Sequence, residues 1–331
     1  MKALVTGGGG FLGNAIVRLL VRGGAAVRSY SRGDYPDLAR LGVEQAQGDL
    51  SDREAVIKAA SGCDIVFHVA AKAGIWGSYQ EYYRANVTGS ENVLAACLAN
   101  GIERLVYTGS PSVVFDGQDV EGGDESLPYP ARFEAHYPHT KAMAEQMVLA
   151  ANGPALATVS LRPHLIWGPG DNHLVPRIIA KARAGKLRRI GTRPCLVDTV
   201  YIDNAAQAHL LAADRLQPGS TIAGKAYFIS NGQPVPLWEM VNRILATAGI
   251  SPVTRSIPPR AAYAVGSLCE WLWKHLQLRG EPPMTRFVAQ ELATAHWFNI
   301  DAARRDLGYV PEVSIDEGLA RLKEWLTEAG L

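Results

Sequence analysis

The start of the chain constrains the fold most strongly, because a strand-like segment runs directly into a glycine-rich turn and then into a helical pattern. The segments are KALVT, GGGGFLG and NAIVRLLVRGG, with Gly7, Gly10 and Gly13 three residues apart. Glycine allows a tight turn, and the free N–H groups at the start of the next helix can bind a pyrophosphate. This order predicts a dinucleotide-binding fold, although a glycine-rich turn without a ligand would have the same sequence.

The rest of the first half alternates strand-like and helical segments. The apolar runs are AAVRSYS, DIVFHVAA, RLVYTGS and ATVSLRP. We therefore predict an α/β fold with a doubly wound parallel sheet of the Rossmann type and helices on both faces. After Pro163 the strands become sparser and prolines cluster, which predicts a smaller C-terminal substrate lobe.

These patterns divide the 331 residues into two units. We predict a dinucleotide-binding Rossmann domain over residues 1–165 plus 195–230. The substrate-binding lobe is expected over residues 166–194 plus 231–331. The chain is long enough for both units.

Charge and cysteine content restrict the partners and the location. The chain has 33 Lys and Arg against 32 Asp and Glu, so we expect small molecules or proteins, and no nucleic acid, as partners. The four cysteines contain no CxxC pair, which favours reduced thiols and a cytoplasmic location. The N-terminus lacks a signal-peptide pattern and no run reaches about 18 apolar residues, so we expect at most peripheral membrane contact.

The end of the second strand predicts the choice of cofactor. The sequence there is SYSRGDYP, with Ser31 and Arg32 where this fold usually places an acid against the ribose 2′-hydroxyl. An arginine can pair with a 2′-phosphate, so we predict NADP, against the alternative that Arg32 is a solvated loop charge. Further on, Asp49 can accept a hydrogen bond from the adenine amino group, or Asp49 or Ser51 can cap the next helix.

Tyr137 and Lys141, in the segment YPHTK, are candidates for acid–base chemistry. On one helix, residues four apart lie on the same face, and Pro138 is tolerated in a first turn. A lysine cation about 4 Å away can stabilise a phenolate by about 4 kcal/mol, which corresponds to about three pKa units. YxxxK is also common by chance, and then it usually lies on a surface helix.

A hydroxyl group at the end of another strand strengthens this interpretation. The segment YTGSPS covers residues 107–112, and ligands of parallel sheets bind beyond the carboxyl ends of strands. Ser110 would then lie beside the cofactor and could hydrogen-bond the substrate oxygen. Ser112 is an alternative, and turn chemistry around Pro111 would explain both serines without a catalytic role.

Eight motifs occur in order along the chain: TGGGGFLG, GDL, FHVAA, ANVTGSENV, YTGSPSV, YPHTK, LRPHLIWGPGD and YIDNAAQAH. Together they resemble the extended short-chain dehydrogenase/reductases, most closely the 3β-hydroxysteroid dehydrogenase-like branch. The resemblance extends over nearly the whole sequence. It implies an NAD(P)-dependent oxidoreductase.

The resemblance also implies roles for individual residues. Ser110 would polarise the carbonyl, Tyr137 would exchange the proton, and Lys141 would lower the tyrosine pKa and hold the nicotinamide ribose. Asn86 matches a helix-bound asparagine of the family. Gly109 departs from the pattern, because relatives often have a second serine there. The implied cofactor contacts are Gly7, Gly10, Phe11, Leu12, Gly13, Ser31, Arg32, Asp49, Leu50, Ala70, Tyr137, Lys141 and Pro163.

Further segments, among them KAGIWGSY and LVDTVYIDNAAQAH, resemble the 2-alkyl-3-oxoalkanoate reductases of bacterial long-chain olefin biosynthesis. This implies NADPH-dependent reduction of a 2-alkyl-3-oxoalkanoate to the 2-alkyl-3-hydroxyalkanoate, and possible complexes with other enzymes of olefin biosynthesis. A cation should bind the substrate carboxylate, and Lys72, Arg177 and Arg193 are unranked candidates. Many relatives are dimers, so a homodimer is expected by analogy.

Two segments are candidates for the apolar part of a substrate site. Residues 70–83, together with Trp167, could form an apolar pocket wall. Residues 260–278 are rich in apolar and aromatic side chains but contain Glu270 and Lys274, so they are too polar to span a bilayer. They are either core or a lid or interfacial helix for a long acyl or sterol-like substrate.

Other functions remain open on this sequence. A 3β-hydroxysteroid or sterol-4-carboxylate 3-dehydrogenase would use the same scaffold. A dinucleotide-sensing scaffold without activity would keep the fold but would not need the set of Ser110, Tyr137 and Lys141. His136, His139 and His164 do not have the spacing of a metal site, so no metal is expected.

Overall fold

The computed structural model describes residues 1–330 and contains a parallel sheet of seven strands. In space the strands follow the order β12-β7-β5-β4-β1-β2-β3. These strands are β1 (Lys2–Thr6), β2 (Ala26–Ser31), β3 (Glu44–Gln47), β4 (Ile65–His68), β5 (Arg104–Thr108), β7 (Ala157–Pro163) and β12 (Lys225–Ile229). All neighbouring pairs are parallel, which confirms the predicted doubly wound sheet.

Helices cover both faces of this sheet and build the C-terminal part of the chain. Up to β12 they are α1 (Phe11–Arg22), α2 (Pro36–Arg40), α3 (Arg53–Ala60), α4 (Tyr79–Tyr82), α5 (Gly89–Ala99), α6 (His136–Ala150), α7 (Leu174–Arg183) and α8 (Ile202–Arg215). After β12 they are α9 (Leu237–Thr247), α10 (Pro259–His275), α11 (Arg286–Glu291) and α12 (Ile315–Glu328). Separate apolar cores lie on the two faces, since the central strands are buried on both sides.

The strand order places a crevice beside β1. The chain proceeds from β1 outward through β2 and β3, and then returns to the other side of β1 at β4. Thr6, the last residue of β1, therefore lies beside Tyr30 of β2 and His68 of β4. Ligands of open parallel sheets bind at such a switch point, beyond the carboxyl ends of the strands.

A second, smaller sheet joins segments that are distant in sequence. Its order is β13-β10-β15-β6, from strands β6 (Val120–Gly123), β10 (Leu196–Val197), β13 (Val235–Pro236) and β15 (His296–Phe298). Two-stranded pairs are formed by β8 (Ile166–Trp167) with β11 (Val200–Tyr201) and by β9 (Arg189–Ile190) with β14 (Ser256–Ile257). The second sheet takes strands from both predicted units. The division at the stated boundaries stays a prediction, and its last residue, 331, lies outside the described part.

The apolar segment 260–278 forms α10 and the turn after it, and most of it is not core. Val265, Leu268 and Trp271 are each at least 50% exposed, and on α10 only Ala262 and Gly266 are buried. Residues three apart share a helix face, and this face turns away from the lobe. The core interpretation is therefore wrong for the outer face of α10, and the lid and the interfacial helix stay predictions. No helix within residues 1–330 has the length and apolar character needed to cross a membrane.

Candidate active site

The glycine-rich turn between β1 and α1 has the geometry of a phosphate cradle. Gly7 has a φ of +72°, which favours glycine, and its N–H donates to the Tyr30 carbonyl oxygen over 2.8 Å. A Cβ atom on Gly13 would overlap the Gly7 carbonyl oxygen, so close packing requires glycine there. Gly10 begins α1 without a side-chain cap, and the first turn contains no acidic residue. The uncapped N–H groups therefore fit a pyrophosphate.

The predicted adenosine-side residues lie next to one another. Arg32 is exposed just after β2, and its charge contributes to lowering the pKa of Asp49. The larger influences on that pKa are the backbone and side-chain hydrogen bonds from Ser51, at 2.9 and 2.7 Å to Asp49 Oδ1. Neither Asp49 nor Ser51 caps α3, because Asp52 accepts the hydrogen bond from the Ala55 N–H. The helix-cap interpretation was therefore wrong, because the capping residue is three positions after Asp49 and one position after Ser51.

The other predicted cofactor contacts lie around the same crevice. A Cβ atom at Gly7 would lie 3.0 Å from Ala70 Cα, so the turn touches the chain just after β4. The Ala70 N–H donates to Thr6 Oγ1 over 3.2 Å, which holds this approach. Phe11 and Leu12 lie in the first turn of α1, Ser31 and Pro163 end β2 and β7, and Leu50 lies in the loop between β3 and α3.

Helix α6 holds both members of the predicted acid–base pair. It begins at His136, so Tyr137 and Pro138 lie in its first turn and Lys141 lies one turn later. The Lys141 ammonium donates to the Thr108 carbonyl oxygen over 2.6 Å and lies 4.1 Å from the centre of the Tyr107 ring. Burial lowers the pKa of Lys141 to about 7, against a smaller opposing effect of Glu145.

The pKa of Tyr137 is raised, whereas the sequence led us to expect that Lys141 lowers it. Burial has the largest effect, and the Glu291 carboxylate raises the pKa further. A hydrogen bond from Ser110 opposes both. Among residues 1–330, Lys141 is not one of the groups that set this pKa, because burial lowers its own pKa to about 7 and it is therefore neutral at the pH where the phenol ionises.

Ser110 lies beside the Tyr137 phenol and also shapes the turn that follows β5. It caps the short 3₁₀ helix Pro111–Val114, since Ser110 Oγ accepts from the Ser112 N–H over 3.3 Å. The Ser110 and Ser112 hydroxyl groups are 2.8 Å apart. Ser110 therefore both forms the turn, as the alternative interpretation predicted, and lies close to Tyr137. Ser112 contacts the Ser110 hydroxyl group.

A buried ion pair below Lys141 was not anticipated from the sequence. The Arg162 guanidinium binds the Glu145 carboxylate with a closest distance of 2.7 Å, and both side chains are almost fully buried. Glu145 also accepts from Tyr129 over 2.8 Å and from Ser160 over 2.6 Å. The signal available in the sequence was the spacing of Glu145, four residues after Lys141 on the same helix face.

This network explains the glycine that departs from the family pattern. A Cβ atom on Gly109 would lie 2.5 Å from Glu145 Oε2 and 2.6 Å from Ser160 Oγ. Such distances require a neighbour to move. A side chain at position 109 is therefore incompatible with the present position of the Glu145 carboxylate.

Asn86 connects α6 to the loop that follows β4. It lies in a π-helical turn, Tyr83–Thr88, and its Oδ1 accepts from the Lys72 N–H over 2.7 Å. Its amide group donates to Thr140 Oγ1 over 3.0 Å. π-helical turns are frequent at functional sites. Asn86 thus fixes the position of the loop 70–78 relative to the turn that contains Tyr137.

The three cations suggested for the substrate carboxylate each have an acidic partner. Lys72 pairs with Glu81 at 3.0 Å, Arg177 with Glu281 at 2.8 Å, and Arg193 with Asp119 at 2.6 Å. A substrate carboxylate would have to compete with an existing ion pair at each position.

Trp167 does not line a substrate pocket. It is fully buried, its indole N–H donates to Thr199 Oγ1 over 2.9 Å, and its ring packs against Tyr201. The expectation that Trp167 forms a pocket wall was therefore wrong, because the side chain belongs to the core. The loop that was expected to form the same wall does come close to α6, since Tyr79 packs against His136.

Comparison with known proteins gives consistent results across the chain. The model of the 3-beta hydroxysteroid dehydrogenase/isomerase family matches residues 4–258. A 2-alkyl-3-oxoalkanoate reductase of Stenotrophomonas maltophilia is 57% identical and covers 98% of both chains. Another of that name, from Shewanella oneidensis, is 53% identical over 97% of this chain and 85% of its own. The structure of MoeE5 in complex with UDP-glucuronic acid and NAD is similar at 25% identity, with a TM-score of 0.76 over 100% of both chains.

Proposed function

Because the chain belongs to the 3-beta hydroxysteroid dehydrogenase/isomerase family, we propose that it reduces a long-chain 2-alkyl-3-oxoalkanoate to the 2-alkyl-3-hydroxyalkanoate with NADPH. The protein is an NAD(P)-dependent oxidoreductase acting on a CH–OH or C=O group. The two reductases that are 57% and 53% identical to it support the substrate. The observation that carries the proposal is the pairing of Ser110, in the turn after β5, with Tyr137, in the first turn of α6.

The proposed roles follow from the donors in the cleft. When bound, the cofactor supplies a hydride to the C3 carbonyl carbon. Ser110 donates a hydrogen bond to the ketone oxygen, and Tyr137 transfers its phenolic proton to that oxygen. Lys141 and the backbone around Thr108 hold the nicotinamide ribose, as the family resemblance implies.

The raised pKa of Tyr137 favours reduction over oxidation. A proton donor must be protonated at the start of the step, and an unperturbed tyrosine already has a pKa of about 10. Burial and the charge of Glu291 raise this pKa further, so the phenol remains protonated at neutral pH. Oxidation of an alcohol would need the phenolate, which these surroundings disfavour.

NADPH is proposed over NADH because of Arg32. Arg32 is exposed at the end of β2, near enough to Asp49 to affect its pKa. A 2′-phosphate placed there would meet a guanidinium group, which binds phosphate oxygens well. Binding of a nicotinamide dinucleotide as such is supported by the related structure that contains NAD.

Turnover with defined substrates tests the proposal. The purified protein should oxidise NADPH in the presence of a freshly prepared 2-alkyl-3-oxoalkanoate. Since 3-oxo acids lose carbon dioxide on standing, the reverse reaction of the stable 2-alkyl-3-hydroxyalkanoate with NADP⁺ should be measured in parallel. No turnover of either fatty acid, with rapid turnover of a 3β-hydroxysteroid or a sterol-4-carboxylate, would replace the proposal by the steroid alternative that the family also supports. Dinucleotide binding without any turnover would indicate a sensing scaffold.

The assembly and location are proposals of the same kind. We propose a cytoplasmic homodimer that contacts other enzymes of olefin biosynthesis and has at most peripheral membrane contact. The family resemblance supports the dimer, and four free cysteines fit a reducing compartment. Light scattering of the purified protein would test the homodimer. Co-purification from cell extracts would test the contact with other enzymes of olefin biosynthesis.

A further inference from the structure

The outer face of α10 carries apolar side chains that nothing within residues 1–330 covers. Val265, Leu268 and Trp271 lie three residues apart on this face and are each at least 50% exposed. The turn after the helix adds Leu276 and Leu278, which are 60% and 42% exposed. Single exposed apolar residues are ordinary, but a group on one helix and its final turn indicates a contact surface. We call these five residues the apolar stripe.

The opposite face of α10 is fixed to the lobe, so the stripe is exposed while the helix is firmly packed. A Cβ atom on Gly266 would lie 2.7 Å from the Thr285 carbonyl carbon, which shows how closely α10 approaches the segment before α11. Glu270 is the one acid of α10, and it accepts hydrogen bonds from the Arg286 backbone N–H and Nε, each over 2.7 Å. The only negative charge of the helix is therefore paired on the packed side.

A basic segment lies close to the start of α10. Residues 181–189 have the sequence KARAGKLRR, with five cations and no acid, although the whole chain is nearly neutral. Arg183 and Lys186 are exposed. No ion pair within residues 1–330 involves any cation of this segment. We call residues 181–189 the basic ridge.

Backbone pairing joins the basic ridge to the start of α10. The Arg189 N–H donates to the Arg255 carbonyl oxygen over 2.9 Å, in the pairing of β9 with β14. A Cβ atom on Gly191 would lie 3.4 Å from Pro259, the first residue of α10. Four more exposed cations flank the helix at its two ends, namely Arg255, Arg260, Lys274 and Arg279. The apolar stripe therefore has cations on both sides along the chain.

The other end of the apolar stripe leads to the catalytic cleft. Glu281 is three positions after Leu278, and a Cβ atom on Gly74 would lie 3.2 Å from Glu281 Oε1. Gly74 belongs to the loop 70–78, which Asn86 links to the N-terminal part of α6. The segment after α10 thus contacts the same loop that borders the proposed catalytic residues.

We propose that the apolar stripe and the basic ridge bind the surface of an anionic bilayer, and that the long-chain substrate reaches the cleft from there. A helix in the plane of the interface buries Trp and Leu side chains at the boundary between headgroups and acyl chains, and nearby cations attract anionic lipids. A second copy of the chain fits less well, because a twofold contact centred on α10 would bring the same cations together. Delivery of the substrate rests on the proposed function, whereas binding to the bilayer does not.

Flotation of the purified protein with lipid vesicles tests this surface. Vesicles of phosphatidylcholine with about one third phosphatidylglycerol should bind the protein at least about tenfold more tightly than vesicles of phosphatidylcholine alone. Leu268→Asp should weaken binding to the anionic vesicles at least about tenfold, since it removes apolar area and adds a negative charge. Arg183→Glu should weaken it at least about fivefold and make it less sensitive to salt.

Each variant has a matched control elsewhere on the molecule. Leu98→Asp replaces a leucine of α5 that is 61% exposed, and Arg18→Glu reverses an exposed charge on α1. Both controls should bind the anionic vesicles within about twofold of wild type. All four positions are exposed, so the thermal midpoints should equal that of the wild type and show that every variant is folded.

Three outcomes would overturn the inference. The first is that neither kind of vesicle binds the protein. The second is that Leu268→Asp and Arg183→Glu lose no more binding than their controls, which would place the membrane contact on another surface. The third is a dimer in light scattering that Leu268→Asp dissociates while vesicles do not bind, which would assign the stripe to a second copy. The flotation contains neither NADPH nor ketone, so a wrong substrate assignment would not affect its result.

Discussion

The Lys141 ammonium donates a 2.6 Å hydrogen bond to the Thr108 carbonyl oxygen, the last residue of β5. The sequence places this lysine one helical turn from Tyr137, yet its charge is directed to the sheet instead of the phenol. Thr108 itself is held by a 2.8 Å hydrogen bond between its Oγ1 and His209 Nε2. The lysine is therefore fixed at the carboxyl end of β5, where the proposed nicotinamide ribose would lie.

Replacing Tyr137 by phenylalanine should reduce kcat by about 10²- to 10⁴-fold, because the ring remains but the proton donor is lost. The dissociation constant of NADPH should stay within about twofold of wild type. Fluorescence titration of NADPH and steady-state reduction measure the two quantities. Turnover near the wild-type rate would exclude Tyr137 as the donor.

The stability of the cofactor-free protein should depend on the protonation of Lys141. Its pKa is about 7 in the folded protein and about 10.5 when unperturbed, so between these values the unfolded chain binds more protons. The wild type should therefore gain stability relative to Lys141→Met as pH rises through this window. Below about pH 7 the buried charge should be most destabilising. Urea unfolding of both proteins at about pH 6 and about pH 9 measures the difference. A difference that does not vary with pH would contradict the buried, neutralised lysine.

Replacing Arg32 by aspartate should weaken NADPH binding by about 10- to 100-fold, which corresponds to loss of a charged hydrogen bond. The affinity for NADH should rise relative to the affinity for NADPH, because an acid can accept a hydrogen bond from the ribose 2′-hydroxyl. Arg18→Asp, on the exposed face of α1, is the control and should leave the preference unchanged. If the dissociation constants of NADPH and NADH were each the same in the variant as in wild type, this role of Arg32 would be excluded.

Replacing Gly109 by alanine should destabilise the protein by about 1–3 kcal/mol, because the added Cβ atom meets Glu145 and Ser160. Gly153→Ala is a suitable control, since a Cβ atom there meets nothing within 4 Å. Denaturant midpoints of the two variants give the comparison. If both variants were equally stable, the carboxylate of Glu145 would not occupy the space above Gly109.

Replacing Glu145 by glutamine should cost about 3–5 kcal/mol of unfolding free energy, because it leaves the buried Arg162 cation without its counter-charge. The pKa of Lys141 should fall further, since Glu145 is the group that raises it. Thermal unfolding measures the first effect. The second can be followed by NMR titration of the lysine side chain. A loss below about 1 kcal/mol would indicate that the pair is solvated instead of buried.

Much of the site was predictable from the sequence, because it depends on order along the chain. The glycine spacing, the alternation of strands and helices, and the positions of Ser110 and Tyr137 after β5 and in the first turn of α6 follow from local pattern. Trp167 was misjudged and the segment 260–278 was left undecided between core and an exposed helix, because apolar composition does not distinguish a core side chain from an exposed helix face. Trp167 is fully buried whereas Trp271 is 55% exposed.

The sequence alone determined the class of fold and the family, since both depend on motifs whose residues are close together or follow a fixed order. The tertiary structure decided which groups act on one another. Glu291 is 154 positions after Tyr137 in the chain, yet the fold brings its charge close enough to raise the pKa of the phenol. Lys141 is four positions from Tyr137, yet burial and the Thr108 carbonyl direct it elsewhere. Electrostatic effects depend on distance and solvent exclusion in space, and neither is set by separation along the chain.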